Sequence, residues 1–298
     1  MRVFVTGVTG VMGAPVVRAL HSAGHAVAGL ARDDVKAEGL RALDVEPVRG
    51  TVFDLAALTR AFEGSDAVCN LATAVPVGAR ALRPGAWRTS DRIRSQGARI
   101  VAKAAREAGV GRLVQESVSF LYADSGDDWI DESSPVAVNR ATEPVVLAET
   151  AAEAFRDAGH QSVVLRFGVI IGDDPLTRWR LSRARVGSPI GLGDPDGWAH
   201  VVHADDIGTA VNSALTAPSG VYNAGAEPVR RADLVRGFAE AVGRHHVGFL
   251  SRRAQRLGGE RLEPLTRSQR VSSAALGREA AWKPHESDFS ADWLAGLT

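Results

Sequence analysis

The chain has 298 residues, of which 45% are hydrophobic and 23% charged, and its 35 Lys and Arg balance its 35 Asp and Glu. That length can bury a sizeable core, and the even charge argues against nucleic acid or an anionic membrane as a partner. One cysteine, Cys69, excludes an internal disulfide framework and a cysteine-rich metal site, and no apolar run approaches the ~20 residues of a membrane span, so a cytoplasmic protein without a leader is expected.

RVFVT (2–6) reads as a buried strand and APVVRALHSAG (14–24) as a helix ended by Gly24. HAVAGLA (25–31) is a second strand. A helix around VKAEGLRAL (35–43), a short strand VEPV (45–48) and a helix LAALTRAFEG (55–64) follow. DAVCNLA (66–72) is a strand, and SQGARIVAKAAREAGV (95–110) a long helix with Gly97, Ile100, Val101 and Ala104 on one face. RLVQESV (112–118), the helix EPVVLAETAAEAFRDAG (143–159) and SVVLRFGVIIG (162–172), a strand running into a loop, complete the alternation. Near-continuous apolar strands alternating with helices predict a doubly wound α/β fold, a parallel sheet covered on both faces. Past residue 172 the pattern loosens. A helix with a basic side, LTRWRLSRARVGSP (176–189), a turn-rich loop, short strands and the helix ADLVRGFAEAVG (232–243) suggest a small C-terminal lobe woven onto the sheet. The expected division is 1–172 for the main domain and 173–298 for the lobe.

Gly7, Gly10 and Gly13 stand between the first strand and the first helix. A dinucleotide needs this arrangement: a tight turn, close backbone approach to the pyrophosphate, close helix–strand packing, and free N–H groups at the helix start. Thr9, Val11 and Met12 belong to the same turn. At the end of the second strand, GLARDD places Arg32 before Asp33 and Asp34. An arginine there favours the 2′-phosphate of NADP(H) over NAD(H), while Asp33 remains a possible ribose ligand. Asp54 and Leu55 after the third strand, and Leu71, Ala72 and Thr73 after the fourth, fall where the adenine and the second ribose would lie.

The stretches TGVTGVMG, NLAT, SVSFLY, VVLRFGVIIG, HVVHADDIGTAV, GVYNAGAEPV and RVSSAALGREAAWKP run in one order from residue 6 to residue 284. In them the chain resembles an extended short-chain dehydrogenase/reductase of the NAD(P)-dependent epimerase/dehydratase type. The resemblance implies a Rossmann-type N-terminal domain, with Ser117 and Phe167 beside the cofactor, and a substrate lobe built largely from sequence after residue 172. It also implies a Tyr-x-x-x-Lys pair on the helix after the fifth strand, with a Ser or Thr near that strand's end. Depending on register, the pair falls on Ala141 and Val145 or on Val145 and Glu149. The chain has only Tyr122 and Tyr222, and no lysine between Lys103 and Lys283, so neither register supplies it. The serine position falls on Val118, flanked by Ser117 and Ser119.

Candidate replacements are Tyr122, Ser117, Ser119 and His200, with packing roles as the alternative for Tyr122. His203 with Asp205 and Asp206 reads as structural. Arg178 and Trp179, in a segment that also carries Arg180, Arg183 and Arg185, are candidates for an anionic or aromatic substrate, as is Trp198. A solvated basic face is the competing reading. No histidine–carboxylate or cysteine pattern marks a metal site. Three functions remain open. One is an NADP(H)-dependent reductase acting on a small organic molecule, possessing a non-standard proton donor, as a monomer or homodimer. The second is a non-redox dehydratase, cyclase or isomerase with a silent nicotinamide. The third is an NADP(H)-sensing binding protein.

Overall fold

A computed structural model describes residues 1–297. Seven parallel strands, β1 (Arg2–Thr6), β2 (Ala26–Ala31), β3 (Glu46–Arg49), β4 (Ala67–Asn70), β5 (Arg112–Val118), β6 (Gln161–Phe167) and β7 (Gly220–Ala224), form one sheet in the order β7-β6-β5-β4-β1-β2-β3. The order reverses between β1 and β4, and the doubly wound sheet opens its ligand crevice at the carboxyl ends of the strands there.

Eight helices matter to the site: α1 (Gly13–Ser22), α2 (Asp34–Arg41), α3 (Leu55–Phe62), α4 (Ala98–Glu107), α5 (Glu143–Asp157), α6 (Pro175–Arg185), α7 (Ala204–Ala214) and α8 (Arg231–Ala241). Along β1, side chains alternate between faces: Val3 and Val5 join the core under α1, α2 and α7, while Phe4 joins the core under α3, α4 and α5. Covering both faces is what lets the strands read as unbroken apolar runs. Phe4 meets Phe62 edge-on at 4.8 Å between centroids, and truncating so buried a ring costs ~3–5 kcal/mol.

Two elements depart from expectation. The helix expected over 95–110 begins earlier: Arg88–Arg92 is helical, Ile93–Gly97 is π-helical, and α4 follows without a break. Within 162–172 the strand ends at Phe167, and the loop expected after Gly168 is a second short strand. A Cβ on Gly168 would lie 2.8 Å from the Val201 backbone, so the chain leaves the sheet and Val169–Ile171 pairs with Val201–His203 instead. That switch starts the C-terminal lobe, whose own core includes Ile171, Leu181, Val201, Val235 and Phe238. The lobe also returns to the main sheet. β7 pairs with β6, and α7 packs on α1 with Gly208 close against Pro15.

Candidate active site

At the β1–α1 turn, Gly7 has φ +73°, and a Cβ on it would lie 2.5 Å from the Leu71 carbonyl oxygen. A Cβ on Gly13 would lie 1.6 Å from the Val8 oxygen, and Gly10 N–H donates to the Gly7 oxygen at 2.8 Å. The turn therefore presents bare backbone beside the end of β4. No side chain caps α1 and its first turn holds no acid; Gly13 N–H donates to the Gly10 oxygen at 3.0 Å and Pro15 carries no N–H, which leaves the Ala14 N–H for an anion. Met12 is buried in the core, Thr9 is half-buried and Val11 is exposed. Beneath the crevice, Thr6 Oγ1 donates to Asn70 Oδ1 at 2.6 Å and Asn70 Nδ2 donates to Gln115 Oε1 at 2.8 Å. This buried chain ties the ends of β1, β4 and β5 together.

The acids near the crevice are occupied with helix capping. Asp33 accepts from Lys36 N–H at 2.8 Å, which caps α2, and Asp34 pairs with Arg49. Asp54 accepts from Ala57 N–H at 3.0 Å, which caps α3, and Leu55 and Ala72 pack against the core below it. Leu71 is buried and Thr73 half-buried. Arg32 is exposed, and among the described residues its side chain has no hydrogen bond or ion pair. The crevice thus offers a glycine cradle, an uncapped helix and, at its edge, an unengaged cation, which fit a dinucleotide.

At the end of β5 successive side chains part company. Ser117 Oγ donates to Glu149 on α5, and Glu149 takes a two-pronged contact from Arg166 at 2.9 and 2.7 Å. Burial disfavours the Arg166 charge, but the Glu149 carboxylate more than offsets it and holds its pKa above the ordinary arginine value. Val118 packs with Val145 and Leu121 in a small apolar cluster. Of the two registers the resemblance allows, one puts its Tyr and Lys positions on Val145 and the ion-paired Glu149 and the other on Ala141 and Val145, while its serine position falls on Val118. A second buried pair, Arg94 with Glu116, joins the π-helical turn to β5, with side chains 11% and 6% exposed.

Tyr122 is fully buried, and burial pushes its pKa up. Its hydroxyl donates to Asn223 Oδ1 at 2.8 Å, and the Arg166 guanidinium lies 4.9 Å from its ring centre. Nothing directs that phenol into a pocket.

Ser119 and His200 do face one. His200 Nδ1 lies 2.9 Å from Ser119 Oγ, and its Nε2 lies 3.4 Å from Ser273 Oγ. Burial pushes the His200 pKa down to about 3, so the ring is neutral near pH 7. The pair borders a narrow pocket of about 60 Å³, walled by Val169, Val235, Phe238 and Phe249 and also bordered by Arg180 and Arg231. Of the other predicted residues, Phe167 is buried in the main core. Arg178 is exposed and paired with Asp173 at 2.6 Å. Trp179, on α6, leans on Gly78, where a Cβ would come within 2.8 Å of its Nε1. Trp198 donates from Nε1 to Asp127 at 2.8 Å and lies between Arg230 and Arg270. None of these borders the pocket. Arg231 and Arg94 stand in stretches that read as surface charge, whereas Arg166 lies within an apolar strand and Glu149 at a position the resemblance marks, so an internal pair between them had a signal in the sequence.

Residues 3–225 match the NAD dependent epimerase/dehydratase family. The chain is 30% identical over 258 residues to a Streptomyces 3-diazoavenalumate denitrifying reductase, covering 82% of each chain. It is also 30% identical over 295 residues to the 2-alkyl-3-oxoalkanoate reductase of Stenotrophomonas maltophilia, covering 90% of this chain and 84% of the relative. Its fold resembles that of a Thermus thermophilus UDP-glucose 4-epimerase in complex with NAD, with a TM-score of 0.77 at 21% identity over the whole of both chains. It also resembles MoeE5 in complex with UDP-glucose and NAD, with a TM-score of 0.79 at 23% identity, covering 100% of this chain and 97% of the other. The uncapped glycine turn, the sheet order and the matched span agree, and the chain belongs to the NAD-dependent epimerase/dehydratase family of short-chain dehydrogenase/reductase enzymes.

Proposed function

We propose that this protein is an NADP(H)-dependent reductase of a small carbonyl compound, with Ser119 as proton donor and His200 as its relay. The observation that carries the reading is the row Ser119–His200–Ser273, with steps of 2.9 and 3.4 Å, running from the pocket to a half-exposed residue. A bound nicotinamide supplies the hydride. The chain's own task is the proton: Ser119 O–H gives it to the developing alkoxide, and neutral His200 returns one to Ser119 from Nδ1. His200 regains a proton at Nε2 through Ser273, so charge does not accumulate in the buried site. The two reductase-named relatives support a reductive direction, and one is named for an oxoalkanoate. The unengaged Arg32 supports NADP(H), because the neighbouring acids cap or pair elsewhere.

The test is a panel of small ketones and aldehydes incubated with the purified protein and either NADPH or NADH. The expected result is carbonyl-dependent oxidation of NADPH in preference to NADH, lost in Ser119→Ala. Product formed without any cofactor oxidation would favour the dehydratase, cyclase or isomerase class. NADPH binding with no turnover of any compound would favour a sensing role.

A further inference from the structure

We propose that the pocket beside Ser119 and His200 is built for a carboxylate, held by Arg180 and Arg231, so that the substrate is a small organic acid. Both arginines border the pocket, and its remaining walls are largely apolar. Arg231 is 7% exposed. It sits at the start of α8, where its Nη1 donates to the carbonyls of Leu192 and Leu265 at 2.8 and 2.6 Å and its Nη2 donates to that of Arg267. Its Nε is buried without a partner. Gly193 makes the room: with φ +76°, it would place a Cβ 2.9 Å from Arg231 Nη1. Arg180, on α6, has a buried Nη1 that is likewise without a partner.

Among the described residues, neither guanidinium forms an ion pair. The nearest acid in sequence to Arg180 is Asp174, whose carboxylate is taken up by Leu176 N–H, Thr177 N–H and the Thr177 hydroxyl. Carbonyl dipoles orient Arg231 but do not neutralise it. Asp174 acts on Arg180, and Asp124 and Asp194 act on Arg231, only from beyond ion-pair distance. A buried Arg231 and a half-buried Arg180 against an apolar wall are costly to hold without a close counter-charge, and a chain that keeps them leaves space for an anion. A guanidinium fork matches a planar carboxylate. The pocket's volume of about 60 Å³ suits a carboxylate with a short stem, leaving the reacting carbon towards Ser119. Burial lowers the pKa of both arginines, and Arg231, at about 10, stays charged near pH 7.

This assignment rests on the reading of that pocket as the substrate site, but its test needs no turnover. Butyrate and butyramide have nearly the same shape and differ in charge. Each is titrated into the purified protein, with and without NADP⁺, by calorimetry and thermal denaturation. Butyrate is expected to bind and raise the Tm, and butyramide to do neither. Arg180→Met should weaken butyrate binding at least ~10-fold, since charge-assisted bonds are lost. The same variant should raise the Tm of the ligand-free protein, because an unpaired buried charge has gone; a merely structural arginine would lower it. Arg231→Met, which strips donors from three carbonyls, serves as the second variant and should lose both binding and stability. Equal binding of the acid and the amide, no binding of butyrate, or unchanged butyrate binding by Arg180→Met would each overturn the assignment. Failure of NADPH oxidation alone would overturn only the reductase reading.

Discussion

Arg166 meets Glu149 edge to edge, Nε to Oε1 at 2.9 Å and Nη2 to Oε2 at 2.7 Å, with the two side chains only 9% and 14% exposed. Ser117 and the Tyr122 ring complete the surroundings of the pair. Each group is thereby satisfied by the other, and neither is left over for proton transfer. This relationship accounts for why Glu149, midway along α5 and the lysine position in one register of the resemblance, contributes architecture in this chain.

Removing one member should therefore be far worse than removing both. Glu149→Ala leaves the Arg166 charge buried, and should cost ~3–5 kcal/mol in urea denaturation. The double variant Glu149→Met with Arg166→Met should recover most of that loss. If the single and double variants are equally destabilised, the pair is not the source of the stability.

The proposed NADP(H) dependence puts Arg32 on the 2′-phosphate. Arg32→Ala should raise the Kd for NADPH about 10- to 100-fold, the loss of a charge-assisted contact worth ~1.5–3 kcal/mol, and leave that for NADH nearly unchanged. Calorimetry with both cofactors checks this. Parallel losses would remove Arg32 from the phosphate.

The proton path predicts a kinetic signature. Ser119→Ala should lower kcat by ~10²-fold with little change in KM, as expected when a general acid is lost but the binding walls remain. Tyr122→Phe should leave kcat within a few-fold, because its hydroxyl is committed to Asn223. A large effect at Tyr122 with none at Ser119 would reverse the assignment.

His200 also makes stability depend on pH. Its pKa is about 3 in the fold and 6.5 in the unfolded chain, so the unfolded state binds the extra proton between those values. Stability from this group is complete above about pH 6.5 and is lost as pH falls towards 3, by up to ~1.4 kcal/mol per pH unit. His200→Asn should flatten that part of the profile of denaturation midpoint against pH. An unchanged slope would assign it to other groups.

Gly7→Ala tests the cradle. The positive φ costs ~1–2 kcal/mol for any residue with a Cβ, and a methyl group 2.5 Å from the Leu71 carbonyl must push the β4 end away. A lowered Tm and loss of NADPH binding are expected together. Ala at Gly24, which also has positive φ but nothing near its Cβ, should lower the Tm alone.

The local pattern was sufficient for the doubly wound sheet and the glycine turn. Strand periodicity, helix caps and the placement of Gly7, Gly10 and Gly13 are decided by neighbours within a few residues of each other, and such constraints are written in the order of the chain. Arg32 and Asp33 could be located for the same reason, just past the end of β2, while the capping of α2 by Asp33 is a contact only the folded chain displays. The break at Gly168 depended on the Val201 backbone, 33 residues away in the chain, and no local pattern announces it.

The interior charges belong to the second kind of information. Arg178 and Arg180 are two apart on one helix, yet the first is exposed and paired with Asp173 while the second reaches the pocket with an unpartnered Nη1. Arg231 comes to the same pocket from α8, Ser119 from just past the end of β5 and His200 from just before the Val201–His203 strand that pairs with Val169–Ile171. What the sequence by itself determined was the cofactor cradle, because a strand, a turn and a helix meet there in consecutive residues. Which charges are neutralised and which face an empty pocket was decided only by tertiary packing, since a charge's energy depends on the partners and the water that the fold leaves around it.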